Sequence, residues 1–145
     1  MFGIIVGTHG IFAEEIVKAC EMIYGKRDKI KAVTTNHGES PDEVFAKYEA
    51  AIKELGNPER LLILNDLRGG TPYNQATRLV LNNENYGIVS GVNLPMLITM
   101  SGIQDSDDGS ATISELMEQA VEAGKEGIVL SSNESLNTDE DEDDL

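Results

Sequence analysis

At 145 residues the chain is long enough to bury one full hydrophobic core and leaves no room for a second domain. Its formal net charge of -15, from 26 acidic residues against 11 Lys and Arg, argues against nucleic acid as a partner. The single cysteine, Cys20, cannot form an internal disulfide, and no window approaches the roughly 18 to 20 apolar residues of a membrane span, so a cytoplasmic protein is expected.

The first predicted element is the apolar run from Phe2 to Thr8, which has the length and β-branching of a buried parallel strand and is followed at once by His9 and Gly10. Apolar positions at Ile11, Phe12, Ile16, Ala19, Cys20 and Ile23 then trace one face of a helix that stops near Gly25. Ile30 to Thr34 is a short strand candidate, and a polar loop leads to Ser40-Pro41-Asp42-Glu43. That tetrapeptide has the pattern of an N-cap, a first-turn proline and a capping-box glutamate, opening a helix to about Leu55.

Leu61 to Leu64 is a second continuous apolar run, with Asn65 and Asp66 at its carboxyl end. After the loop Leu67-Arg68-Gly69-Gly70, the pair Thr71-Pro72 predicts a cap and a helix start, continued to about Leu81. Tyr86 to Val92 is a third buried strand, and Asn93 and Pro95 open a short helix through Met100. Ser101 to Ser110 reads as a glycine-containing surface loop whose Asp105, Asp107 and Asp108 are solvated, since their spacing does not match a calcium-binding loop. A last helix is expected from Ile113 to Gly124, then a short strand at Gly127 to Leu130.

The charge is uneven along this plan. Residues 1–130 hold 19 acids against 11 bases, a net of -8, while residues 131–145 carry the other seven acids and almost nothing apolar. That tail cannot bury enough surface to offset its ordering entropy and is expected to be disordered. The strand-helix alternation before it predicts an α/β fold: a doubly wound, mainly parallel central sheet with helices on both faces.

In flavodoxin-like order the first and third strands are neighbours at the topological switch point, where His9 and Asp66 would face each other across a crevice. A carboxylate there accepts one imidazole N–H, fixes the tautomer and leaves the other nitrogen as a nucleophile. Gly69 and Gly70 let backbone approach a ligand, and the helix beginning at Thr71 offers unpaired N–H groups and a dipole to an anion. A nucleophilic histidine, an orienting carboxylate and an anion cradle together point to phosphoryl transfer onto histidine.

These residues resemble the IIA components of mannose-type sugar phosphotransferase systems. The resemblance covers most of residues 1–130 and is carried by Val6-Gly-Thr-His-Gly10, Asp66-Leu-Arg-Gly-Gly-Thr-Pro-Tyr-Asn74 and Gly91-Val-Asn-Leu-Pro-Met-Leu97, in the family's order and spacing. It implies that His9 is phosphorylated by the phosphocarrier HPr and passes the group to a IIB component, which serves membrane IIC and IID components. It also implies that Asp66 is the histidine's partner, that Thr71 lies beside the phosphoryl group, which the preceding Gly70 lets the backbone approach, and that the protein is a homodimer with its last strand exchanged between subunits. Arg68 departs from the family, many members of which have an aromatic residue there; it stands where it can contact phosphate or a partner. An acidic tail in place of the family's Ala-Pro linker implies a separate IIB partner.

Taken singly, each feature also has a plainer reading. His9 alone is a hydrogen-bonded loop residue, Asp66 a turn former, Thr71-Pro72 a helix start, Arg68 a solvated charge, and His37 a surface or partner-contacting residue. Two histidines and one cysteine do not make a zinc site, and no cofactor is expected. The alternatives in function are the phosphotransferase subunit of a dihydroxyacetone kinase and a non-catalytic flavodoxin-like binding module.

Overall fold

The computed structural model describes residues 1–143. Four strands, β1 (Gly3–His9), β2 (Ile30–Thr35), β3 (Leu61–Asn65) and β4 (Tyr86–Ser90), form one all-parallel sheet in the order β2-β1-β3-β4. Helices α1 (Phe12–Tyr24), α2 (Pro41–Glu54), α3 (Gly70–Leu81), α4 (Leu94–Asp105) and α5 (Ile113–Glu126) connect and cover it, and α6 (Asn133–Asp143) follows.

The continuous apolar runs become central strands because both of their faces are covered. Every residue of β3 is buried, and so is all of β1 except His9. Alternate side chains feed two cores: Ile4, Val6, Leu62 and Leu64 pack with α1, α4 and α5, whereas Ile5, Leu61 and Ile63 pack with α2 and α3. Each fully buried aliphatic side chain contributes about 1.5 to 3 kcal/mol over an exposed one, which makes these two strands the frame on which the site is built. The expected capping box is present: Glu43 N donates to Ser40 Oγ and Ser40 N to Glu43 Oε2, both at 3.2 Å.

Three expectations need correction. The stretch from Ser101 is not a loop at its start, because α4 continues to Asp105. Its polar residues face inward: Ser101 Oγ donates to Leu97 O, and Gln104 Nε2 donates to Phe2 O and Lys29 O at 2.8 and 2.9 Å, satisfying carbonyls at the strands' starts. Nor is Asp107 solvated, since its side chain is 2% exposed, pairs with Arg60 and accepts from Phe2 N. Asp105 and Asp108 are exposed, as expected, with Asp105 also paired to Arg27 and Tyr24.

Gly127 to Leu130 form no strand. A short apolar run becomes a strand only where another edge runs alongside it, and within this one chain Ile128, Val129 and Leu130 are left 78%, 76% and 78% exposed. Beyond that run, the backbone is helical over Asn133–Asp143. Reciprocal bonds start it, Ser135 N to Ser132 Oγ and Ser132 N to Ser135 Oγ, with Glu134 placed favourably in the first turn. Of the tail expected to be disordered, the last two positions lie outside the described residues.

Candidate active site

Parallel pairing of β1 with β3 puts Gly7 opposite Asn65, so that His9 and Asp66 leave the sheet side by side at the strands' carboxyl ends. Asp66 Oδ2 lies 3.0 Å from His9 Nδ1 and 3.1 Å from His9 N, while Asp66 Oδ1 accepts from Leu67 N at 3.0 Å. An ionised carboxylate only accepts hydrogen bonds, so the proton of a neutral imidazole here sits on Nδ1 and the lone pair on Nε2. The His9 side chain is 47% exposed and that of Asp66 16%, which leaves the ring reachable while its partner is held.

Nε2 faces the start of α3. A Cβ placed on Gly70 would lie 2.8 Å from His9 Nε2 and 3.0 Å from Cε1, and Gly70 has φ +82°, so both space and backbone require glycine. Gly69, with φ +100°, makes the turn before it. The expectation that Thr71 caps this helix is corrected: hydrogen-bonded helix begins at Gly70, Thr71 lies within the first turn, and no side chain caps it. The two left-handed glycines shift the start upstream, and the first-turn amides stay free for an anion beside Nε2.

Thr8 supplies a cap to the other neighbouring helix, accepting from Ala13 N at 2.7 Å, so that Gly10 and Ile11 can turn sharply away from the histidine. His9, Asp66 and Gly70 are therefore brought into contact, and Thr71 follows Gly70 without a hydrogen bond to either of the other two. Arg68 is exposed and lines a cavity of about 700 Å³ with Tyr73, Ser90, Met117, Glu118 and Glu122, at the open β4 edge. His37 is exposed in the loop after β2. Among the described residues no three His, Cys, Asp or Glu groups cluster as a metal set.

Sequence reasoning missed the residues beneath the site. Asn65 Nδ2 donates to Gly7 O and to Tyr48 Oη, and Tyr48 Oη donates to Pro72 O at 2.7 Å. Burial holds the Tyr48 proton far more tightly than in free tyrosine, the Asn65 hydrogen bond opposing and the Asp66 charge adding to it. A glycine inside an otherwise apolar strand, Gly7, was the available signal of a close approach.

The sheet is parallel, with a histidine-carboxylate pair at its switch point and an uncapped helix start beside the other ring nitrogen, an arrangement that sets a nucleophilic group against an anion cradle. The sequence model of the family described as "PTS system fructose IIA component" matches residues 3–124, and the chain belongs to that family. It is 36% identical over 125 residues to the mannose-specific EIIAB component of Escherichia coli K12, covering 86% of this chain but only 38% of that protein. The sorbose-specific EIIA component of Lacticaseibacillus casei is 33% identical over 142 residues, 98% of this chain and 99% of the other. A crystal structure of an EIIA component from Streptococcus agalactiae superimposes with a TM-score of 0.78 at 27% identity, covering 90% of this chain and 97% of its own.

Among the described residues, no helix is long and apolar enough to cross a membrane.

Proposed function

We propose that this chain is a cytoplasmic phosphocarrier of a sugar phosphotransferase system in which His9 takes a phosphoryl group from phospho-HPr and passes it to a IIB component, serving membrane IIC and IID components in sugar uptake. The observation that carries this reading is the division of labour on the ring: Nδ1 is held by Asp66 at 3.0 Å, and Nε2 points at the free start of α3.

In the first transfer the Nε2 lone pair attacks phosphorus in line, the new N–P bond forms as the donor's N–P bond breaks, and the donor imidazole leaves with the electron pair. The His9 Nδ1 proton stays on the bond to Asp66, which offsets charge building on the ring. Backbone amides around Gly70 and Thr71 and the Thr71 hydroxyl receive the phosphoryl oxygens, with the helix dipole adding about 0.3 to 2 kcal/mol according to burial. Arg68 supplies a positive charge at the rim and meets the donor or acceptor protein. Transfer to the IIB component reverses the same step.

The protein acts as a homodimer, its 128–130 segment adding to the β4 edge of a second copy. Support comes from the open edge of β4 and from three consecutive apolar side chains left exposed without a strand partner. The central experiment is incubation with phosphorylated HPr. Acid-labile phosphate is expected on the wild-type chain and absent from His9→Ala; phosphate retained by His9→Ala overturns the assignment.

A further inference from the structure

Below the reacting atoms, one hydrogen-bonded chain crosses four elements. Asn65 Nδ2 donates to Gly7 O at 2.7 Å and to Tyr48 Oη at 3.1 Å, and Tyr48 Oη donates to Pro72 O at 2.7 Å. Gly7 stands two residues before His9 on β1, Asn65 immediately before Asp66 on β3, and Pro72 two residues after Gly70 in the first turn of α3. Tyr48 belongs to α2. Its hydroxyl fills the space that a Cβ on Gly7 would need, 2.1 Å away.

Both side chains are fully buried, and Asn65 Oδ1 has no hydrogen-bond partner among the described residues. A purely apolar filling would avoid the desolvation of a hydroxyl and an amide and would leave no orphaned carbonyl. What the polar chain provides instead is direction, because hydrogen bonds fix atoms that packing alone lets slide. The three backbone stretches it joins are those that carry His9, Asp66 and Gly70.

We infer that Tyr48 and Asn65 are positioning residues for phosphoryl transfer, holding the first turn of α3 in register with His9 Nε2 so that its amides meet the phosphoryl group without moving. The inference rests on His9 being the phosphorylated residue. Neither side chain contacts the reacting nitrogen; both act through the backbone of Gly7 and Pro72. Donors already in place need no reorganisation at the moment of reaction, and a misplacement of about 1 Å costs up to roughly a hundredfold in rate.

The test is single-turnover transfer from phospho-HPr to Tyr48→Phe, Asn65→Ala and the double variant, each below its own unfolding midpoint, with His9→Ala alongside. Tyr48→Phe is expected to slow transfer at saturating donor on the order of tenfold, leaving the half-saturating donor concentration and the ¹⁵N signature of the Nδ1–H tautomer unchanged. Because the two residues act through one chain, the double variant should lose about as much as either single variant. A folded Tyr48→Phe that transfers at the wild-type rate overturns the positioning role, as does a double variant whose losses multiply. If Tyr48→Phe does not fold, Asn65→Ala is read by the same rate criterion. Phosphate accepted by His9→Ala would instead remove the site assignment itself.

Discussion

A single oxygen of Asp66, Oδ2, accepts both from the backbone N–H of His9 at 3.1 Å and from its ring nitrogen Nδ1 at 3.0 Å. The first bond locks the end of β1 to the end of β3, and the second orients the ring. Position and tautomer of the nucleophile are thus set by one carboxylate.

Replacing Asp66 with asparagine should keep the fold and slow transfer by roughly a hundredfold or more, because the amide can present an N–H to Nδ1 and stabilise the unreactive tautomer. Stopped transfer from phospho-HPr, together with ¹⁵N spectra of His9, measures both effects. A rate equal to wild type would exclude the orienting role.

Gly70→Ala tests the contact on the other side of the ring. The added methyl would lie 2.8 Å from His9 Nε2 at a residue with φ +82°. A destabilisation of about 1 to 2 kcal/mol from the backbone conformation is expected in urea unfolding. Transfer should fall further than stability explains, since the methyl occupies the place of the incoming group.

At the far end of the sheet, the Arg60 guanidinium beside Asp107 holds that carboxyl below its ordinary value of 3.8. A folded-state pKa that is lowered adds stability above the unfolded value, and this is lost as pH falls through the folded one. Asp107→Asn should therefore destabilise the chain near neutral pH, by about 3 kcal/mol for a broken buried pair. The gap between variant and wild type in urea midpoints should narrow as pH drops below 3.8.

For the proposed dimer, sedimentation of Val129→Asp should show a shift toward monomer relative to wild type, because a charge on the exposed run opposes strand addition. A wild-type chain that sediments as a monomer would remove the exchanged-strand reading.

Much of the central frame was legible in residue order. The continuous apolar runs from Phe2 to Thr8 and from Leu61 to Leu64 point to strands of a parallel sheet covered on both sides, and Ser40-Pro41-Asp42-Glu43 announces its helix through local bonds alone. What misled was polarity read without partners. Gln104 and Asp107 look like solvent-facing residues until Phe2, Lys29 and Arg60 arrive from elsewhere in the chain to meet them.

The same distinction holds at the site. The sequence by itself determined the types and order of the groups: His9 after one buried run, Asp66 after another, and a double glycine before a helix, since these follow from periodicity and turn chemistry within a few residues. Only the tertiary structure decided which nitrogen is held, why Gly70 can carry no side chain, and that Tyr48, on a helix remote from the motif, bonds to its Pro72 carbonyl. Those are distances between segments separated by tens of residues, and no local pattern encodes them.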